Sequence, residues 1–206
     1  MNKRDKAIIR DLERFRVLSR DDIVDLYFSH LKNPITCCNT VLKRLVRDGH
    51  IKADTSFRPY VYLPSNSTMK KHSAKIPHFL SIVDIYKQIK QYYNPDVFIV
   101  EPKYKKGLAE PDVYTKIKEV SFFIEVQRNV YSQKVMNDKI KRYEALRYSD
   151  EFNQDRFPFI IMISDTRYEI NSDLTVFQVK SIHEFMEKLR NKQKNKRREV
   201  IKYEIS

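Results

Sequence analysis

From Val113 to Val126 the chain carries Val113, Ile117, Val120, Phe122, Phe123, Ile124 and Val126, all β-branched or aromatic. The run is too short and too irregular in period for an amphipathic helix. Two strands joined through Lys116-Ile117-Lys118-Glu119 account for it, and this hairpin is the fixed point around which the other elements arrange. Glu110-Pro111-Asp112 stands at the start of the first strand, and Glu125-Val126-Gln127 ends the second. Side chains alternate along a strand, so Glu125 and Gln127 project together while Ile124 and Val126 turn to the core. Two carboxylates on adjacent strands, Asp112 and Glu125, make an oxygen-lined seat for a divalent metal. The plainer reading is the polar face of a half-solvated antiparallel sheet.

The order of elements around the hairpin favours the metal seat. Residues 77–93 place Phe79, Leu80, Ile82, Val83, Ile85, Tyr86, Ile89 and Tyr93 at helical spacing, and Asn94-Pro95 stops them. Residues 96–100 read as a strand, followed by the hairpin. A helix over 132–148 then puts Val135, Met136, Ile140, Tyr143 and Leu146 on one side. Strands at 159–163 and 175–179 and a closing helix at 182–189 complete an αβββαβ order with one added strand and helix.

This order and Pro111-Asp112 with Glu125-Val126-Gln127 resemble the PD-(D/E)xK nuclease superfamily. Glu125-Val126-Gln127-Arg128-Asn129 followed by Lys139-Ile140-Lys141-Arg142-Tyr143 is similar to the replication-relaxation family of mobile elements, over nearly the whole chain. The central part also resembles the nuclease region of CoiA-like competence proteins. The resemblance implies a restriction-endonuclease-like fold in which Asp112 and Glu125 bind Mg²⁺ or Mn²⁺ with the Val126 carbonyl.

The chain departs from that pattern at the third position. The superfamily carries a lysine two residues after the acid, where its charge stabilises the scissile phosphate; here the residue is Gln127. An amide orients a water or a phosphate oxygen but brings no charge, and a lost cation costs on the order of a few kcal/mol of transition-state stabilisation. Lys134, near the start of the following helix, is one replacement. Asp84, on the helix that opens the domain, is the candidate third acid, with Glu101 and Glu110 as rivals. It reads equally as a solvated gap in an apolar stripe.

The amino-terminal third has its own pattern. A helix over 3–15 turns Ile8, Ile9, Leu12 and Phe15 inward; Ser19 caps a second with Asp22 in its first turn; Asn33-Pro34 opens a third that reaches Asp48-Gly49. Residues 51–53 and 60–63 form a two-stranded ribbon. Three helices and a ribbon make a winged helix-turn-helix. On the third helix Cys38, Val41, Leu42, Leu45 and Val46 form the buried stripe, leaving Thr36, Thr40, Lys43, Arg44 and Arg47 for base edges and phosphates. Lys52 and Arg58 on the ribbon reach a neighbouring phosphate or the minor groove. The alternative is a helical protein-interaction domain with a basic outer face.

The expected organisation is α+β: a winged helix-turn-helix over 1–64, a linker over 65–76, a nuclease-like domain over 77–190 and a basic tail over 191–206. Net charge is +13, concentrated at the ends: 13 basic against 8 acidic residues in 1–65, and 8 against 2 in 188–206. Such a distribution suits a polyanionic partner, here double-stranded DNA. Cys37 and Cys38 are adjacent, so neither a disulfide framework nor a zinc spacing exists. Only Gly49 and Gly107 occur, which excludes a glycine-rich nucleotide loop. No secretory or membrane segment is read, so a cytoplasmic protein is expected; the resemblance implies that it belongs to a plasmid, phage or integrative element. The expected activity is metal-dependent DNA cleavage or nicking. The rivals are a non-catalytic DNA-binding regulator, with a homodimer on paired half-sites among the expectations, and a protein-binding adaptor.

Overall fold

Helix α1 (Lys3–Phe15) starts where the Asn2 side chain accepts the Asp5 amide at 2.9 Å, and its buried stripe is Ile8, Leu12 and Phe15. A two-residue strand, β1 (Leu18–Ser19), leads into α2 (Arg20–Tyr27). Between them is a full capping box: the Ser19 hydroxyl accepts the Asp22 amide and the Asp22 carboxylate accepts the Ser19 amide, each at 3.0 Å. Helix α3 (Pro34–Arg47) begins after Asn33, which holds the N-cap position without a side-chain hydrogen bond. At its end Gly49 takes φ +74°, and the His50 amide reaches back to the Leu45 carbonyl at 2.9 Å. Strands β2 (Ile51–Asp54) and β3 (Val61–Pro64) pair antiparallel, and β1 pairs along the other side of β3. The ribbon is therefore a three-stranded sheet in the order β1-β3-β2. A strand of two residues has no period to read, so β1 is not legible from sequence.

The computed structural model describes residues 1–191; the expected basic tail lies outside the described residues except for Asn191. The chain divides into two compact units, Met1–Asp84 and a second beginning at Ile85. The division falls inside α4 (Lys75–Lys90), and the irregular 65–74 segment falls within the residues of the first unit.

The second unit is built on a five-stranded mixed sheet in the order β4-β5-β6-β7-β8. Strands β4 (Val97–Val100), β5 (Val113–Ile117) and β6 (Val120–Val126) form an antiparallel meander. The β5–β6 turn is tighter than the sequence suggests: Ile117 pairs with Val120, and only Lys118 and Glu119 turn the chain, at φ +48° and +67°. Positive φ at both central residues matches the twist of a two-residue hairpin. Helix α5 (Gln133–Arg147), capped by Ser132, crosses over to β7 (Phe159–Ile163), which runs parallel to β6, and β8 (Val176–Val179) runs parallel to β7. Residues 182–191 are helical.

Helices cover both faces of this sheet. On one, Met136, Ile140, Tyr143 and Leu146 of α5 pack on Phe123, Ile160 and Met162. On the other, Phe122 meets Phe185 of the last helix at 5.8 Å between ring centroids, and Phe98 meets Tyr86 of α4 at 5.0 Å. Strand β6 is thus interior, and Glu125 is 1% exposed. The half-solvated sheet of the plainer reading is overturned here, since the face that carries Glu125 is a second packing surface. Val135, placed in the α5 stripe by spacing, is instead 45% exposed. No described helix is long and apolar enough to cross a membrane.

Candidate functional site

The β5–β6 register pairs Val113 with Ile124, and one step further it sets Asp112 opposite Glu125. Another step sets Pro111 opposite Val126. Proline has no N–H for the Val126 carbonyl, so the ladder ends there. The Val126 amide donates instead to Asp112 Oδ2 at 2.7 Å. The Pro-Asp pair therefore closes the strand pairing and turns a carboxylate across to the end of β6.

Glu125 lies on the face covered by α5. The Lys139 ammonium donates to its Oε2 at 2.5 Å and the Tyr143 hydroxyl to its Oε1 at 2.6 Å. Burial raises the Glu125 pKa; the Lys139 charge opposes the rise and the Asp112 charge adds to it. The Tyr143 hydroxyl is pushed well above its ordinary value, first by burial and then by the Glu125 charge. A buried carboxylate held by a lysine and a tyrosine inside an otherwise apolar layer is an expensive arrangement, and an apolar side chain at that position is often neutral or stabilising. Such groups concentrate at functional sites.

The cation at Glu125 is Lys139, to which the sequence pattern assigned no role, whereas Lys134 is exposed on the first turn of α5. A signal for it was present: Lys139 lies one turn before Tyr143 on the face that carries Met136 and Ile140 inward. Gln127 is half-buried two residues beyond Glu125, and its backbone N–H donates to the Ile163 carbonyl at 2.9 Å. Asp84 is exposed on α4 and belongs to the first unit. Glu110 is exposed and pairs with Lys103 at 3.6 Å; Glu101 follows β4, its backbone N–H donating to the Asp112 carbonyl at 2.8 Å. Among the described residues no three His, Cys, Asp or Glu side chains converge as a metal-binding group.

The donors present are all oxygen: two carboxylates and the Val126 carbonyl, which has no ladder partner at residue 111. That chemistry suits Mg²⁺ or Mn²⁺, and Mg²⁺ characteristically uses one or two carboxylates and completes its shell with water and substrate phosphate.

The residues of the basic face in the first unit differ in how free they are. Thr36, Thr40, Lys43, Arg47, Lys52 and Arg58 are exposed. Arg44 is not available in the same way: its guanidinium turns inward to Asp5 at 2.7 Å, and that carboxylate is 1% exposed. The Thr40 hydroxyl is engaged with the Thr36 carbonyl at 3.0 Å, and Lys52 donates to the Ser67 carbonyl at 3.0 Å. Arg47 pairs with Asp48 at 2.9 Å, an exposed pair of small energetic consequence. Val46, expected in the buried stripe, is 36% exposed and lines a cleft between α3 and the β2–β3 ribbon. No protein-family model matches this chain, and no curated protein matches it.

Proposed function

We propose that the protein binds DNA through a winged-helix first unit and carries, in a second unit of PD-(D/E)xK nuclease type, a site for Mg²⁺- or Mn²⁺-dependent phosphodiester cleavage. The observation that carries this reading is the cross-strand pairing of Asp112 with Glu125 beside the Lys139 ammonium. The element order α1-β1-α2-α3-β2-β3 supports the winged helix, with α3 as the reading helix.

In this account Asp112, Glu125 and the Val126 carbonyl would hold the metal, whose chemistry when bound would be activation of a water and neutralisation of phosphate charge. Lys139 supplies the positive charge that Gln127 lacks, and it meets the phosphate oxygens from α5 rather than from β6. Tyr143 holds the Glu125 carboxylate in one orientation by its hydrogen bond. Gln127 orients water or a phosphate oxygen through its amide. The setting proposed with this reading is a mobile element, in replication or transfer.

A second reading is a DNA-binding regulator in which the nuclease fold is only a platform, as a homodimer on paired half-sites. What favours it is that both Glu125 oxygens already accept protein hydrogen bonds. Supercoiled plasmid incubated with Mg²⁺ or Mn²⁺ distinguishes the two. Nicked or linear product that disappears in the Asp112→Ala, Glu125→Ala variant supports cleavage. Retarded but intact plasmid with the wild-type protein supports the regulator, and plasmid that is neither cut nor retarded rejects both.

A further inference from the structure

The first unit holds a cleft of about 630 Å³ between α3 and the β2–β3 ribbon, a size that admits a small organic ligand. Its floor is apolar: Leu42 and Val46 from α3, Tyr60 and Tyr62 from the ribbon. Val46 and Tyr60 are 36% and 40% exposed, so these large side chains present surface to the cleft rather than filling the core. Around the floor stand Arg20, Lys43, Arg47 and Arg58, and none of the described side chains lining the cleft is acidic. Arg20 and Arg47 each pair with a neighbouring aspartate at the rim, Asp21 at 2.8 Å and Asp48 at 2.9 Å. The Arg58 guanidinium lies over the Tyr60 ring, 4.7 Å from its centroid, and donates to the Thr55 and Phe57 carbonyls.

An intact duplex makes poor use of such a place. Paired bases have their faces stacked on one another and show a protein only their edges, with the thymine methyl as the main apolar group in the major groove. The cleft offers the opposite: aromatic and aliphatic lining for a planar face, with Lys43, Arg47 and Arg58 in the same lining for an attached phosphate. Aromatic side chains on a basic track are how proteins take unpaired bases, because every base has a face to stack. We infer that this cleft receives one unpaired nucleotide of a DNA strand, its base against Tyr60 and Val46 and its phosphate toward Lys43 and Arg47. The inference rests on the reading that the first unit binds DNA, and it makes the preferred substrate DNA with an unpaired base, at a flap or a junction, rather than continuous duplex.

The test uses the full chain, without divalent metal, and three DNAs of equal phosphate number: a blunt duplex, a duplex carrying a short flap with 2-aminopurine in it, and the same flap with an abasic position instead. At fixed salt the flapped duplex binds about tenfold more tightly than the blunt one, the 2-aminopurine dims on binding, and the abasic flap loses the advantage. Tyr60→Phe keeps the preference and Tyr60→Ala loses it. If that variant fails to fold, the wild-type comparison of base-bearing and abasic flaps still decides. Equal affinity for all three DNAs with undimmed fluorescence overturns the inference while leaving DNA binding in place. Binding to none of them overturns the DNA reading itself. Free 2-aminopurine mononucleotide binding as tightly as the flap makes the cleft a site for a soluble nucleotide and overturns the assignment to a strand.

Discussion

A carboxylate 1% exposed, facing a second carboxylate across the strand and held by a lysine and a tyrosine, couples folding to pH in a particular direction. Because burial raises the Glu125 pKa in the folded chain, the folded state holds that proton more tightly than the unfolded state. This contribution to stability is complete below the ordinary glutamate range and is lost as pH climbs from there to the raised value, at up to about 1.4 kcal/mol per pH unit. Glu125→Gln removes the loss: urea midpoints of wild-type and variant, compared from pH 4 upward, should diverge in favour of the variant as pH rises. Parallel curves would mean that Glu125 titrates as an exposed acid does. Arg44 differs from Lys43 and Arg47 in serving a buried acid. Arg44→Ala leaves the Asp5 carboxylate without its cation, so it should lower the melting temperature.

At the scale of elements, the helix starts carry much of the local instruction. The Ser19–Asp22 capping box joins β1 to α2 and is buried, with Ser19 8% and Asp22 7% exposed. Ser19→Ala should cost roughly 1 kcal/mol of unfolding free energy in chemical denaturation, since an amide of the first turn then loses its acceptor. Strand β5 shows the complementary case of a stop. Pro111 ends the ladder, and Asp112 is placed where its carboxylate takes the Val126 amide. The helices, the Ser19 cap and the existence of the hairpin were legible because each depends on neighbours in sequence, although α4 ends at Lys90 rather than Tyr93 and the hairpin turn is two residues rather than four. The pairing of Leu18 with Tyr62, and the reach of Lys139 to Glu125, depend instead on residues that only folding brings together.

For the whole molecule, charge decides how a polyanion is met. The excess of positive charge lies in residues 1–65 and 188–206, while 66–187 is nearly balanced with 19 basic and 17 acidic residues, so on the proposed reading DNA would be drawn first to the ends of the chain. Affinity for plasmid should fall steeply with salt. Lys43→Ala and Arg47→Ala should each lower affinity at fixed salt and reduce the log–log salt slope by about one for each phosphate no longer neutralised. Unchanged affinity and slope, measured by fluorescence anisotropy, would remove α3 from the interface. The sequence by itself determined the order of the helices and of the strands other than β1, the Ser19 cap, the αβββαβ core and the uneven charge, all of which follow from local periodicity and composition. Only the tertiary structure decided that Glu125 is buried, that Arg44 turns inward, that Val46 opens onto a cleft and that Lys139 is the cation of the acid pair. The reason is physical: a strand's pattern reports alternation of its side chains, but whether one face or both are covered depends on which helices pack there. Which cation neutralises a buried acid is set by the same packing.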